Sequence, residues 1–124
     1  MPAKAVRSIS TTSSNKRVPS MPPSPNDLIW TPRARRDLLD IWRYFSAVAS
    51  PDVADRLLHD IGDAAIQLVQ YPMLGRPRDD VFPALRQILM LPYAILYRVP
   101  EGHVEIVRVI HTKRDFAAAF DEDA

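Results

Sequence analysis

An α+β fold is what this sequence predicts, and three observations predict it. Residues 85–111, LRQILMLPYAILYRVPEGHVEIVRVIH, form the one stretch with sustained β character. Two Thr-Pro or Ser-Pro pairs, Thr31-Pro32 and Ser50-Pro51, open segments of helical period. The link between those segments is short, which implies an αα-hairpin. The expected order is β-α-α-β-β-β, a two-helix hairpin packed on a small antiparallel sheet, followed by a short turn of helix.

Leu28-Ile29-Trp30-Thr31 is an apolar run suited to an edge strand. Thr31 then caps a helix whose first position is Pro32 and whose end falls near Ser46. Ala34, Leu38, Ile41, Trp42 and Phe45 make its apolar stripe, with Arg33, Arg35, Arg36, Asp37, Asp40 and Arg43 mostly off it. Ser50-Pro51 repeats the start signal, and Asp52 suits the first turn. The second helix runs to about Tyr71, with Ala54, Leu57, Leu58, Ile61, Ala64, Ala65 and Leu68 on one stripe, and Pro72 ends it. Gly62 inside it suggests close helix–helix approach. Residues 72–84 read as a loop shaped by Gly75 and Pro77, bearing Arg76, Arg78, Asp79 and Asp80. Three strands follow, over Leu85–Leu91, Tyr93–Val99 and Val104–Ile110, separated by Pro92 and by the turn Pro100-Glu101-Gly102-His103. In the last strand Val104, Ile106, Arg108 and Ile110 alternate with Glu105, Val107, Val109 and His111. One sheet face should bury against the helices. The other should stay partly open, with Arg86, Arg98 or Arg108 among apolar neighbours. Lys113–Phe120 has a helical look, with Phe116 and Phe120 one turn apart.

At 124 residues with 47% hydrophobic content, the sequence fits one domain with a real core. Its lack of cysteine excludes disulfides, thiol catalysis and thiolate metal sites, and fits a reducing cytoplasm. No run approaches the roughly 18 apolar residues of a membrane span, and the start lacks the apolar core of a secretory signal. Residues 1–27 are rich in Ser, Thr and Pro and read as a basic, disordered tail. Asp121, Glu122 and Asp123 make an acidic end expected to fray. The formal net charge is +1, and the body between the ends is rich in Arg, with Lys113 its one Lys. Balanced charge argues against a general nucleic-acid coat. Arg favours planar contact with carboxylate or phosphate.

Nucleophilic catalysis finds little support, with no Gly-x-Ser-x-Gly elbow and Ser only in the tail or beside helix ends. His59, His103 and His111 are isolated, so no metal site is expected, and no glycine-rich phosphate loop is present. Asp79-Asp80 reads as solvated, and Asp115 as an ion-pair partner of its basic neighbours. The Arg set is more informative. Arg76, Arg78, Arg86, Arg98, Arg108 and Arg114 fall in the sheet half, where several on one face would hold a phosphate backbone or an acidic peptide. Tyr93, Tyr97 and His111 are the nearby groups able to move a proton.

The ordered set Trp30-Thr31-Pro32-Arg33-Ala34-Arg35-Arg36-Asp37-Leu38, Ile41-Trp42-Arg43-Tyr44, Pro72-Met73-Leu74-Gly75-Arg76-Pro77-Arg78, Leu85-Arg86, Tyr93-Ala94-Ile95-Leu96-Tyr97-Arg98 and Ile106-Val107-Arg108-Val109-Ile110-His111-Thr112-Lys113-Arg114-Asp115 resembles the RelE/ParE toxin superfamily, its ParE branch in particular. The resemblance covers residues 28–116. It implies the toxin of a bacterial type II toxin–antitoxin pair, with the fold read above and no cofactor. It also implies a cognate, ParD-like antitoxin whose disordered, acidic segment wraps the toxin and whose other end binds operator DNA; no sequence-specific DNA binding by the toxin alone is expected. Arg76, Arg78, Arg86, Arg98, Arg108, Lys113 and Arg114 are the expected contacts to antitoxin or target. ParE-type toxins poison DNA gyrase and RelE-type toxins cut message on the ribosome. For the second activity this sequence keeps Arg86, His111, Lys113 and Arg114 near matching places, but lacks a Lys-rich second helix and any Tyr after Tyr97. An inactive, protein-binding family member is the third possibility.

Overall fold

The computed structural model describes residues 27–121. The elements run β1 (Leu28–Trp30), α1 (Pro32–Val48), α2 (Pro51–Gln70), β2 (Arg76–Pro77), β3 (Arg86–Met90), β4 (Tyr93–Arg98), β5 (Val104–His111) and α3 (Phe116–Asp121). The sheet order is β1-β5-β4-β3-β2. The α+β expectation holds, with two differences. The sheet is mixed, because β1 lies parallel to β5, Leu28 beside Val104 and Trp30 beside Ile106. The expected loop 72–84 also contributes a two-residue strand, β2, pairing Arg76 with Gln87 and Pro77 with Arg86. The expected tail and frayed end fall outside the described residues, apart from Asp27, whose carbonyl accepts from the Val104 amide, and Asp121, the last residue of α3.

Both long helices start where their caps predict. Thr31 Oγ1 accepts from the Ala34 amide and Ser50 Oγ from the Val53 amide, each 3.1 Å, with Pro in the first turn. α1 continues two residues past the expected Ser46 to Val48, and α2 ends at Gln70, one before Tyr71. Trp42 Nε1 donates to Asp55 Oδ1 at 2.7 Å and ties the hairpin together. Gly62 does not mark a close approach: a Cβ there would meet nothing within 4 Å.

The hairpin covers one sheet face. Ala34, Ile41, Ile61, Ala65 and Leu68 pack against Tyr93, Ile95, Tyr97, Val104, Ile106 and Val109. On the other face a smaller cluster joins Leu85, Leu96 and Ile110 to Ala119 of α3, with Val81, Phe116 and Phe120 at its rim. The simple alternation expected along β5 breaks at Val107. Tyr97 pairs with Ile106 but Leu96 with Arg108, so one residue bulges. The bulge turns Val109 to the helix layer beside Val104 and Ile106, and leaves Arg108 and Ile110 on the opposite side. A period-two reading has no means of anticipating one inserted residue.

Candidate partner-binding surface

The buried polar groups define what the surface is built on. Arg108 and Asp37 are 0% and 7% exposed. The Arg108 Nε and Nη2 donate to the two Asp37 carboxylate oxygens at 2.8 and 3.1 Å, and its Nη1 donates to the Ala119 carbonyl at 2.8 Å. Asp37 Oδ2 also accepts from the Val109 amide beside the bulge at 3.0 Å. The expectation of Arg108 as a partner contact therefore meets a residue enclosed between α1, β5 and α3. Asp37 stands one turn from Ala34 and from Ile41, so it shares their apolar stripe. The expectation that Asp37 lies off that stripe therefore does not hold; its spacing from Ala34 and Ile41 sets it among the residues α1 buries.

Tyr97 is equally committed. Its hydroxyl accepts from the Gly75 amide at 2.8 Å and donates to the Pro72 carbonyl at 2.7 Å. Burial raises its pKa above the ordinary 10.0, partly offset by the Gly75 hydrogen bond and the Arg86 charge. A Cβ on Gly75 would lie 2.6 Å from the Tyr97 hydroxyl and 2.7 Å from the Gln87 carbonyl, so this is the glycine whose missing side chain permits close approach. Arg86 completes the latch, donating through Nη1 to the Gly75 carbonyl and, at 3.4 Å, to that of Met73.

Two clefts open on the sheet side away from the helix hairpin and at its strand ends. The first, about 460 Å³, is lined by Arg78, Gln87, Leu89, Leu91, Thr112 and Arg114 among others. Leu89 and Leu91 are 57% and 73% exposed. Arg78 forms its wall: Nε and Nη2 each donate at 3.0 Å to the Asp80 carboxylate, Nη1 donates to Gln87 Oε1, and the guanidinium lies 5.2 Å from the Phe116 ring centre. The hydrogen bond from Arg78 holds the exposed Asp80 carboxyl below its usual range. The second cleft, about 310 Å³, sits at the end of β3 and β4 between Arg86 and Arg98, with Met73, Leu85, Val99 and Pro100.

His111, Lys113 and Arg114 follow closely along the chain at the end of β5 but do not converge on one face: Arg114 lines the first cleft, whereas His111 stands opposite Tyr93, on the helix side of the sheet. His111 Nδ1 accepts from the Lys113 amide at 3.1 Å, which leaves Nε2 as the site of the ring proton in the neutral form. Its ring meets Tyr93 edge-on at 5.5 Å. Tyr93 is itself buried, and burial, with the nearby Tyr44 second, pushes its hydroxyl above 10.0. Arg86 is not part of this group. It stands opposite Tyr97 while His111 stands opposite Tyr93, four residues away along β4, or about 13 Å in the strand direction alone. Asp115 Oδ1 accepts from the Ala118 amide at 3.2 Å and so caps α3. Arg76 is exposed on β2. No group of acidic or His side chains able to hold a metal occurs among the described residues.

Residues 28–116 match the family described as the ParE toxin of the type II toxin–antitoxin system, parDE. The chain belongs to the ParE toxin family. Toxin RelE2 of Caulobacter vibrioides is 38% identical over 88 residues, covering 70% of this chain and 96% of that protein. Toxin ParE1 of Mycobacterium tuberculosis is 29% identical over 86 residues, covering 68% of this chain and 88% of the relative. In three dimensions this ParE-family chain is similar to a structure of a chromosomal ParDE system from P. aeruginosa, with a TM-score of 0.62 and 26% identity over 68% of this chain and 94% of that one. It is similar also to the toxin–antitoxin complex RelBE2 of Mycobacterium tuberculosis, with a TM-score of 0.52 and 26% identity over the same shares. The protein is thus a type II toxin of the RelE/ParE superfamily. No described helix is long and apolar enough to cross a membrane.

Proposed function

We propose that this toxin arrests growth by acting on DNA gyrase and that a cognate, ParD-like antitoxin neutralises it by covering the Arg-bearing clefts. The observation that carries the reading is the ParE match over residues 28–116. The chemistry of the surface supports it. The Tyr97 hydroxyl is locked to Gly75 and Pro72, and His111 Nδ1 to a backbone amide. The Tyr97 hydroxyl is therefore poorly placed to exchange a proton with a substrate, and His111 keeps only Nε2 for that role. What faces outward is a docking surface of guanidiniums and exposed leucines, suited to a protein partner. Contacts to antitoxin or target fall to Arg76, Arg78, Arg86, Arg98, Lys113 and Arg114. The expected site of action is the cytoplasm.

A second reading, cleavage of ribosome-bound message, draws on His111, Lys113 and Arg114 lying close together in the chain at the end of β5. The two separate cleanly in vitro. Purified toxin should inhibit supercoiling by gyrase, or trap cleaved DNA, at a stoichiometric ratio. Cleavage of ribosome-bound message with gyrase untouched would transfer the assignment to the ribonuclease.

A further inference from the structure

The outer face of the helix hairpin, away from the sheet, carries opposite charge on its two helices. Arg35, Arg36 and Arg43 are exposed on α1, against the single acid Asp40. Asp52, Asp55, Asp60 and Asp63 are exposed on α2, against the single base Arg56. Little of this charge is neutralised within the chain. Asp55 accepts from Trp42 and Asp63 meets His59 at 3.3 Å, but no carboxylate pairs with Arg35, Arg36 or Arg43 among the described residues. The Trp42–Asp55 hydrogen bond marks the seam between the helices. Leu39, one turn before Trp42, and Ile66, three turns after Asp55, lie along that seam and are 45% and 46% exposed. Gly62 falls on the same stripe of α2 as Asp55 and Ile66. A glycine in a helix interior costs stability relative to alanine. Nothing within the chain requires this one, since a Cβ there would meet nothing within 4 Å.

We propose that this face is where a second copy of the toxin docks, in a two-fold dimer whose axis runs along the seam. Charge complementarity carries the choice of occupant. A partner of one sign would suit one helix and be repelled by the other. A second copy turned about an axis parallel to the helices sets each basic α1 over the acidic α2 of its partner, antiparallel to it. An axis across the seam would stack α1 on α1 and α2 on α2, like charge on like. The favoured arrangement sets Leu39 and Ile66 of both copies beside the axis, and the bare backbone at Gly62 admits the partner's helix. Both sheet clefts stay open in this dimer, so the inference stands apart from the reading of antitoxin and target.

The test is sedimentation equilibrium of the purified full-length toxin, free of antitoxin, over a concentration series at two salt concentrations. The native chain should dimerise within a range reaching about 100 µM, and less so as salt rises. Arg36→Glu together with Arg43→Glu should raise the dimer dissociation constant about tenfold, because acid then faces acid. Adding Asp60→Arg and Asp63→Arg to the same chain should restore association, since both helices are then reversed. Gly62→Leu, which no contact within the chain opposes, should also weaken it. Arg76→Glu, an exposed control on β2, should change it less than twofold. A native toxin that stays monomeric throughout that range would overturn the proposal. So would association unchanged in the Arg36→Glu, Arg43→Glu variant or in Gly62→Leu, each folded by circular dichroism. Loss of the dimer in Leu89→Lys but not in those variants would place the interface on the edge of β3 and overturn it equally.

Discussion

A guanidinium with no exposed surface has to be neutralised where it sits, and Asp37 does that for Arg108 through two parallel hydrogen bonds. The pair gains little over a well-packed apolar alternative, because both charges lose their water. Breaking it is another matter, since the survivor is left buried and unpaired. Arg108→Met or Asp37→Ala alone should cost roughly 3–5 kcal/mol, a large part of the about 5–15 kcal/mol that holds a typical domain together. The double variant Asp37→Ala with Arg108→Met should cost less than the sum. It does not return to native stability, because the Val109 amide and the Ala119 carbonyl still lose partners, at about 1–3 kcal/mol for each buried orphan. Urea denaturation of the three variants checks this; additive losses would show that the two residues act independently.

At the scale of elements, the two helix caps do unequal work. Ser50 only caps α2. Thr31 caps α1, and its hydroxyl also donates to the Val107 carbonyl at 3.0 Å, joining helix start to strand bulge. Ser50→Ala should therefore cost about 1 kcal/mol, and Thr31→Ala about twice that, a cap plus one hydrogen bond. Equal shifts in the denaturation midpoint would show that the tie to Val107 contributes nothing. These helices were legible in the sequence because their signals are local: a cap, a proline and a stripe of period 3.6. The three main strands were legible from side-chain type and turn residues, and the positive φ of 85° at Gly102 is the one its turn demands. What escaped was non-local. The Val107 bulge, the parallel pairing of β1 and the two-residue β2 each depend on a partner far along the chain. The candidate surface was legible to the same degree. Most of its arginines were named from composition and from family motifs. Which of them are enclosed depended on partners far along the chain: Arg108 is held inside by Asp37 of α1 and the Ala119 carbonyl of α3. Gly75 looked like loop punctuation, yet it is the contact that lets the Tyr97 hydroxyl reach the backbone.

For the molecule as a whole, the buried phenols should weaken the fold at alkaline pH. Burial raises the folded-state pKa of Tyr93 and Tyr97 above the 10.0 of an unfolded chain. The folded state holds these protons more tightly, so the stabilisation is fully present below pH 10.0. It is lost as pH climbs from 10.0 through the raised folded value. Tyr93→Phe should leave stability near neutral pH almost unchanged and make its fall above pH 10.0 shallower. An alkaline decline identical to that of the native toxin, followed by denaturant midpoint against pH, would assign the limit to other groups. The flank of β5 bears on behaviour at high concentration. β1 covers that strand only as far as Ile106, and an uncovered strand flank invites other chains to add to it. Here the next backbone groups are already taken: Thr31 holds the Val107 carbonyl and Asp37 the Val109 amide. A second strand adding along this side would have to displace both contacts, which makes the exposed flank of β5 a poor template for fibre growth.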